Sequence, residues 1–129
     1  MTADVVHGLL TAREAGFAVD ARTLERGVEA LWGLEMTSPT AFGRDVLVRA
    51  EADVDEIADV EPKTAEDRAW LTLAGRRGLL TGYRAPENRD TGAAVREVAL
   101  VLRALHAENP SDPRTAAGAG RNTTRRIRS

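Results

Sequence analysis

Residues 5–32, VVHGLLTAREAGFAVDARTLERGVEALW, decide the fold because they predict two amphipathic helices separated by a short turn. In the first half, apolar residues recur at helical spacing, and Gly16 is placed to end the helix in a left-handed conformation. Asp4 precedes this pattern and is the predicted N-cap. The predicted common face of the first helix consists of Val6, Leu9, Leu10 and Arg13.

The second half of the stretch predicts a helix that starts after Asp20, a residue type favoured at N-caps. The turn before it is short, so the two helices are expected to pack as an antiparallel hairpin. The stretch contains no obvious catalytic group. The predicted buried face of the second helix carries Leu24, Val28 and Leu31, and its opposite side carries Glu25 and Glu29.

A third helix is predicted after the break at Pro39, with an apolar pattern that continues to Pro62. A fourth helix begins at Thr64, which with Asp67 resembles a capping arrangement, and ends in the Arg-Arg-Gly sequence at Gly78. The apolar positions are Val46, Ala50, Val54 and Ile57 in the third helix and Ala69, Trp70, Leu73 and Ala74 in the fourth.

The fifth predicted helix begins at Thr91, after a loop over residues 79–90, and stops at Asn109-Pro110. Its apolar stripe consists of Val95, Val98, Leu102 and Leu105. No segment alternates with period two over the length of a strand. The sequence therefore predicts an all-α fold of antiparallel helical hairpins, with one helical domain over residues 1–113 and a disordered tail over residues 114–129.

Composition and charge narrow the classes of function. The chain has 129 residues, 43% hydrophobic and 29% charged, as is ordinary for a soluble domain. It contains no cysteine, which excludes disulfides, thiolate metal sites and a thioester formed within this chain. The formal charge is −2, but five of the 18 basic residues lie in the tail, so residues 1–113 carry 13 basic and 20 acidic side chains. The tail arginines are Arg114, Arg121, Arg125, Arg126 and Arg128.

The basic tail is not predicted to bind nucleic acid. Arginines can neutralise phosphates, but the sequence RTAAGAGRNTTRRIRS has no aromatic residue on which bases could stack and no helical period. Disorder is the expected state of such a terminus. The Asn122-Thr123-Thr124 sequence is a formal glycosylation acceptor and is interpreted as a chance match, since no secretion signal precedes it.

The densest group of side chains that could bind a metal ion lies in the sequence ADVDEIAD. Its four carboxylates would crowd one helical segment: Asp53, Asp55, Glu56 and Asp59. Carboxylate oxygens bind Mg²⁺, and the sequence is similar to the Asp-x-Asp-Asp motif of helical triterpene cyclases, with Glu56 at the last position. The predicted helix would bring Asp55 near Asp59 and Asp53 near Glu56. Carbocation chemistry also needs aromatic walls, and the chain has only five aromatic residues of the Phe, Trp and Tyr types. A solvated acidic face without bound Mg²⁺ is therefore the favoured interpretation.

No catalytic, cofactor-binding or metal-binding residue is predicted elsewhere. His7 and His106 each lie on a predicted helix without a second histidine or a carboxylate three or four residues further on, whereas a metal site needs three or four convergent ligands. The glycines of residues 75–82 and 118–120 match neither a P-loop nor a dinucleotide fingerprint. The serines lie in predicted loops or the tail and outside any nucleophile elbow, at Ser38, Ser111 and Ser129.

The hairpin stretch resembles the repeated helical hairpin in the complement-like domain of bacterial alpha-2-macroglobulins. The shared pattern is an apolar helix ending in Ala-x-x-Ala-Gly-aromatic, then Val-Asp, then Leu-x-Arg-Gly-x-x-x-Leu. Residues 95–113, VREVALVLRALHAENPSDP, are similar to a further helix of that domain, which ends in a proline-containing turn. The matching residues of the hairpin are Ala12, Ala15, Gly16, Phe17, Val19, Asp20, Leu24, Arg26, Gly27 and Leu31.

This resemblance implies a partial α/α toroid, in which successive antiparallel helix pairs form inner and outer rings. In intact family members the domain carries a Cys-Gly-Glu-Gln thioester that captures an attacking protease. This chain has no cysteine and five predicted helices, about half of what a closed toroid needs. We therefore interpret it as a non-catalytic helical fragment of such an endopeptidase inhibitor, whose partner is a protease or the rest of the parent chain.

Two alternatives stay open at this point: a generic helical-repeat module for protein interaction, and a fragment of a terpene-cyclase-like toroid enzyme. Self-association is expected if the apolar stripes of the terminal helices, around Val6 and Leu102, lack neighbours. The N-terminal sequence predicts neither a signal peptide nor a membrane span. The compartment stays open, because intact members of the family are typically exported, periplasmic or on the cell surface.

Overall fold

The computed structural model describes residues 2–87 and 91–115, and these residues form helices and connecting segments without a β-strand. The all-α prediction is confirmed. Within the described residues no helix is both long and apolar enough to cross a membrane. The helices are α1 (Ala3–Glu14), α2 (Ala21–Thr37), α3 (Ala41–Arg49), α4 (Ala65–Leu73) and α5 (Gly92–Glu108).

The chain divides into two compact units, with the boundary between Pro62 and Lys63. The first unit contains α1, α2 and α3, and the second contains α4 and α5. The sequence predicted one helical domain over residues 1–113. The division arises because α3 ends at Arg49 and an irregular segment of more than a dozen residues precedes α4, so each unit builds its own apolar core.

Most helix starts agree with those predicted from the sequence. Asp20, Thr64 and Thr91 each cap the helix predicted to follow, and Thr40 caps α3 in the same way. Each side chain accepts a hydrogen bond from the backbone N–H three residues on, which satisfies a donor that the first helical turn leaves unpaired. The prediction for Asp4 is wrong: α1 begins at Ala3, and Asp4 lies inside its first turn, where a carboxylate interacts favourably with the helix dipole.

The turn of the first hairpin is built on Gly16, as predicted. The φ angle of Gly16 is +92°. Its N–H donates to the carbonyl of Arg13, and the N–H of Phe17 donates to the carbonyl of Ala12, both at 3.0 Å. These two bonds form a Schellman motif, which ends α1 and turns the chain toward Asp20 at the start of α2.

We expect Gly16→Val to lower the free energy of unfolding of the first unit by about 1–2 kcal/mol, because an L-residue with a branched side chain is strained in the left-handed region. A Cβ at Gly16 would meet no atom within 4 Å, so the cost is conformational. Urea unfolding followed by Trp32 fluorescence in a Trp70→Phe background measures it. Gly8→Ala within α1 is the control and should stabilise instead. An unchanged midpoint for Gly16→Val would contradict the assigned turn.

The third helix is shorter than predicted. Its apolar pattern continues to Ile57 at helical spacing, but α3 ends at Arg49 and Glu51 has a φ of 62°. The N–H groups of Glu51 and Ala52 close a second Schellman motif on the carbonyls of Val48 and Leu47. Ile57 still reaches the core from a turn. The predicted continuation to Pro62 is therefore wrong, because tertiary contacts can bury an apolar residue without a helix.

Glu51→Gly is expected to raise the free energy of unfolding of the first unit by about 0.5–1 kcal/mol. Glu51 is exposed and carries the left-handed conformation that glycine adopts without a Cβ penalty. Glu51→Ala separates the two possible causes, since alanine removes the carboxylate and keeps the backbone penalty. The same urea unfolding assay applies, and equal stabilisation by alanine and glycine would refute the conformational explanation.

The core of the first unit joins α1, α2 and α3. Leu24 and Leu31 are buried as predicted, and Val28 is partly buried. The apolar stripe of α1 does not lack neighbours, because Val6 and Leu10 are fully buried in this core. The buried residues of this core are Val6, Leu10, Leu24, Leu31, Val46, Leu47 and Ile57.

The second unit buries a different face of α5 from the one predicted. Val95, the first residue of the predicted stripe, is 56% exposed, whereas Leu105, its last residue, is buried. The loop after α4 contributes Leu80 to the same core. The helix ends at Leu73, before the predicted Arg-Arg-Gly sequence, and Gly75, with a φ of +111°, turns the chain after it. The buried residues of this core are Ala69, Leu80, Val101, Ala104 and Leu105.

Candidate functional site

The acidic residues singled out in the sequence lie on an irregular segment that follows α3. The predicted helical pairing of these carboxylates is therefore wrong. The Asp53 carboxylate accepts a hydrogen bond from the Asp55 N–H at 2.9 Å, and Asp59 lies 3.8 Å from the guanidinium of Arg44. In residues 2–87 and 91–115, no three His, Cys, Asp or Glu side chains form a group that could hold a metal ion.

The two histidines lie in different environments. His106 is exposed in the last turn of α5. His7 is partly buried in α1, and its ring meets Phe42 of α3 edge to face, with 5.4 Å between the ring centroids. His7 Nδ1 lies 2.6 Å from Nη2 of Arg49. A guanidinium only donates, so Nδ1 accepts this hydrogen bond and the ring proton lies on Nε2.

A buried ionic network extends from this histidine. Asp45 of α3 is fully buried, and its Oδ2 accepts a hydrogen bond from Arg49 Nε at 3.1 Å, one helical turn away. The Arg49 side chain is 16% exposed. The carboxylate therefore neutralises a guanidinium that also reaches α1, and the network holds α1 and α3 together.

A second buried carboxylate, Glu35 near the end of α2, lies against the start of α3. Its Oε1 accepts a hydrogen bond from the Thr40 N–H at 2.7 Å, and both carboxylate oxygens lie 3.0 Å from the Thr40 hydroxyl. Gly43 contacts the Glu35 carboxylate so closely that a Cβ there would overlap it. A carboxylate at a helix N-terminus is favourable because backbone donors and the helix dipole stabilise its charge.

Neither network was predicted, although the sequence contains signals for both. Glu35 follows Leu31 by one turn on the buried face of α2, and a charged residue in an apolar stripe indicates a buried partner. Asp45 and Arg49 stand four residues apart, which is typical of a helical ion pair. The link from Arg49 to His7 spans 42 residues and has no sequence signal.

A concave surface of the first unit runs along α2, and we call it the α2 groove. It consists of two cavities of about 600 and about 350 Å³ that share Val28 and Glu29 in their walls. Partly buried apolar side chains form much of its surface, including Val19, Val28 and Trp32. The Trp32 indole N–H donates to the Asp53 carbonyl at 3.0 Å, which holds the ring against the segment that follows α3.

The second unit has a polar cavity of about 720 Å³ lined by residues that include Arg68, Tyr83 and Glu97. The Tyr83 hydroxyl donates to Glu97 Oε2 at 2.9 Å, which ties the loop after α4 to α5. The Tyr83 hydroxyl and the Glu97 carboxylate are thus both used in a contact within the unit. This cavity combines basic and acidic side chains without a residue pair that indicates one kind of ligand.

The first residue of the predicted tail has a defined place. Arg114 donates to both carboxylate oxygens of Asp112 and, through Nη1, to the Leu80 carbonyl at 2.7 Å. Its guanidinium therefore ties the chain to the loop that follows α4, and the predicted boundary between residues 113 and 114 stays a prediction. Residues 116–129 lie outside the described residues, and their predicted disorder stays a prediction.

The pKa of the Asp112 carboxyl is held below its ordinary value of 3.8, first by the side-chain hydrogen bonds of Arg114 and then by the Arg114 N–H. A depressed pKa in the folded state contributes stability above the ordinary pKa that is lost as the pH falls through the folded value. We expect Arg114→Ala to raise the Asp112 pKa toward 3.8. A carboxyl-carbon NMR titration measures it, with Arg103→Ala on α5 as the control. A wild-type Asp112 that titrates at its ordinary value would contradict this.

No family model, no curated protein and no solved structure matches the chain. The fold defines an all-α protein of two helical units, with buried carboxylates that link helices and a groove along α2.

Proposed function

We propose that the chain is a non-catalytic helical part of the complement-like domain of an alpha-2-macroglobulin-type endopeptidase inhibitor. The observation that carries the proposal is the first hairpin, because residues that match the family pattern take the roles that shape it. Gly16 forms the left-handed turn, Asp20 caps α2, and Ala12 accepts the closing hydrogen bond of α1. Leu24, Gly27 and Leu31 form the buried face of α2.

The use of the buried charges supports a non-catalytic role. Asp45 binds Arg49, and Glu35 binds the backbone and hydroxyl of Thr40, so both carboxylates hold helices together. The prominent apolar side chain at the hairpin tip, Phe17, is 71% exposed. An aromatic side chain on a surface turn is suited to contact with another protein segment. The function proposed is therefore one of protein contact.

The complete reading frame around this chain tests the proposal. We expect a neighbouring coding segment for Cys-Gly-Glu-Gln, and we expect the full product to form a covalent, denaturant-stable conjugate with an added protease. A matched product with that cysteine changed to alanine is the control and should form none. Flanking sequence without the thioester motif, or a full product that forms no conjugate, would overturn the assignment.

The alternative of a generic helical-repeat interaction module is favoured by one observation, the division into two helical units with separate cores. Stacked repeats each contribute a small core and depend on neighbours for stability. Further helix pairs in the reading frame without the thioester motif would support this alternative. No observation favours the cyclase alternative, since the acidic segment lacks the helical pairing of carboxylates that was predicted for it.

Self-association of the isolated chain provides a separate test of the proposal that the chain is part of a larger helical domain. Several large apolar side chains are exposed, among them Val5 at 48%, Leu34 at 53% and Val95 at 56%. We expect light scattering and thermal melts over a hundredfold range of concentration, ~1–100 μM, to show concentration-dependent association or a poorly cooperative transition. A monomer with a sharp, concentration-independent midpoint would identify a complete small domain.

A further inference from the structure

We propose that the α2 groove binds an amphipathic helix of about three turns, acidic in its first turn and basic in its last. This inference concerns the first unit alone and holds whether or not the chain belongs to a protease inhibitor. The shape, the apolar surface and the charge distribution of the groove each support this partner.

The shape of the groove fits a helix laid along α2. Its walls include α2 residues from Ala21 to Trp32, and 11 residue steps at 1.5 Å per residue give a length of about 16 Å. The groove is also lined by Val19 near the hairpin turn and by two residues just after α3, Ala50 and Ala52. A channel of this length accommodates about three turns of a second helix.

The apolar surface supplies places for a stripe of apolar side chains. Val19, Val28 and Trp32 are only partly buried, so a docked helix would remove more of their surface from water. Helix-in-groove recognition uses anchors at positions i, i+3 or i+4, and i+7, which lie on one face of the bound helix. The hydrogen bond from Trp32 to the Asp53 carbonyl fixes the indole in place before binding.

The charges identify which helix fits. All cationic side chains of the groove line the larger cavity: Arg13, Arg22 and Arg26. The ionisable side chains of the smaller cavity are all acidic: Glu29, Asp53 and Glu56. None of these six side chains forms an ion pair among the described residues. Glu25 and Glu29 also line the larger cavity, so its charged side chains are three arginines and two glutamates. The charge of the groove therefore changes along its length, from mixed in the larger cavity to wholly acidic in the smaller one.

This polarity also sets the direction of the bound helix. A helix favours acidic side chains in its first turn and basic side chains in its last turn, because they complement its dipole. Its acidic start would meet Arg22, near the start of α2, and its basic end would meet Asp53 and Glu56. The bound helix therefore runs parallel to α2.

Two stapled 14-residue peptides of identical composition test the proposal against the full chain. The probe has glutamates in its first turn, leucines on one face and arginines in its last turn, and the control peptide alternates the same charges along its length. Binding is followed by anisotropy of a fluorescein label and by Trp32 fluorescence in a Trp70→Phe background. We expect the probe to bind at least about tenfold more tightly than the control peptide.

Charge reversal on the protein locates the binding surface. The double variant Arg22→Glu with Arg26→Glu should weaken probe binding by about tenfold or more, because both side chains are exposed and line the groove. The control variant Arg96→Glu with Arg103→Glu makes the same charge change on exposed positions of α5 and should leave binding nearly unchanged. Circular dichroism melts confirm that both variants fold.

Three outcomes would overturn the proposal. The first is equal affinity of the two peptides, and the second is equal weakening by the α2 and α5 charge reversals. The third is that the chain forms a dimer that is lost on charge reversal of Arg22 and Arg26 and that excludes the probe, because the groove would then hold a second copy.

Discussion

Replacement of Asp45 by alanine is expected to lower the free energy of unfolding of the first unit by about 3–5 kcal/mol, the cost of leaving one member of a buried ion pair without its partner. Asp45 is fully buried, and its partner Arg49 is only 16% exposed. The stranded guanidinium would keep its hydrogen bond to His7 but lose the carboxylate that neutralises it. The link between α1 and α3 would therefore weaken.

Urea unfolding of Asp45→Ala, followed by Trp32 fluorescence in the Trp70→Phe background, measures this effect. The double variant Asp45→Leu with Arg49→Met should recover most of the loss, because replacing both charges with apolar groups of similar size is often close to neutral. Asp59→Ala is the matched control, since Asp59 is 91% exposed in its 3.8 Å pair with Arg44 and should contribute less than about 1 kcal/mol. A loss of less than about 1 kcal/mol for Asp45→Ala would show that burial does not strengthen this pair.

The second large effect is expected at Gly43, where alanine should lower the free energy of unfolding of the first unit by about 2–4 kcal/mol. The added Cβ would overlap the Glu35 carboxylate. A flexible glutamate could normally move aside, but Glu35 is only 4% exposed and binds Thr40 through both oxygens. Moving it breaks hydrogen bonds to a buried charge and disturbs the start of α3.

A double-mutant cycle separates this steric effect from the loss of the carboxylate. In a Glu35→Ala background, Gly43→Ala should cost much less, because the overlapping group has been removed and alanine favours a helix. Gly33→Ala in α2 is the control, because a Cβ there meets no atom within 4 Å and should stabilise by about 0.5–1 kcal/mol. Additive losses from Glu35→Ala and Gly43→Ala would contradict the overlap.

Local sequence signals determined most helix starts, the end of α1 and the class of fold. The caps at Asp20, Thr64 and Thr91 and the left-handed turn at Gly16 were all predictable, because each depends on hydrogen bonds within about four residues. The exposed face of α2 that carries Glu25 and Glu29 was predictable too, and it forms a wall of the α2 groove. The contribution of Ala50, Ala52 and Asp53 to that groove was not predictable, since these residues are distant from α2 in the sequence.

Only the tertiary structure decided which residues each core buries. Helical periodicity marks two candidate faces on α5, and the contacts with α4 and Leu80 select the one with Val101 and leave Val95 exposed. The same holds for the end of α3, where Glu51 turns the chain although the apolar pattern continues. The tertiary structure also decided the partners of the buried charges. Arg49 binds His7, 42 residues away, and a contact between residues so far apart in the sequence depends on how the helices pack.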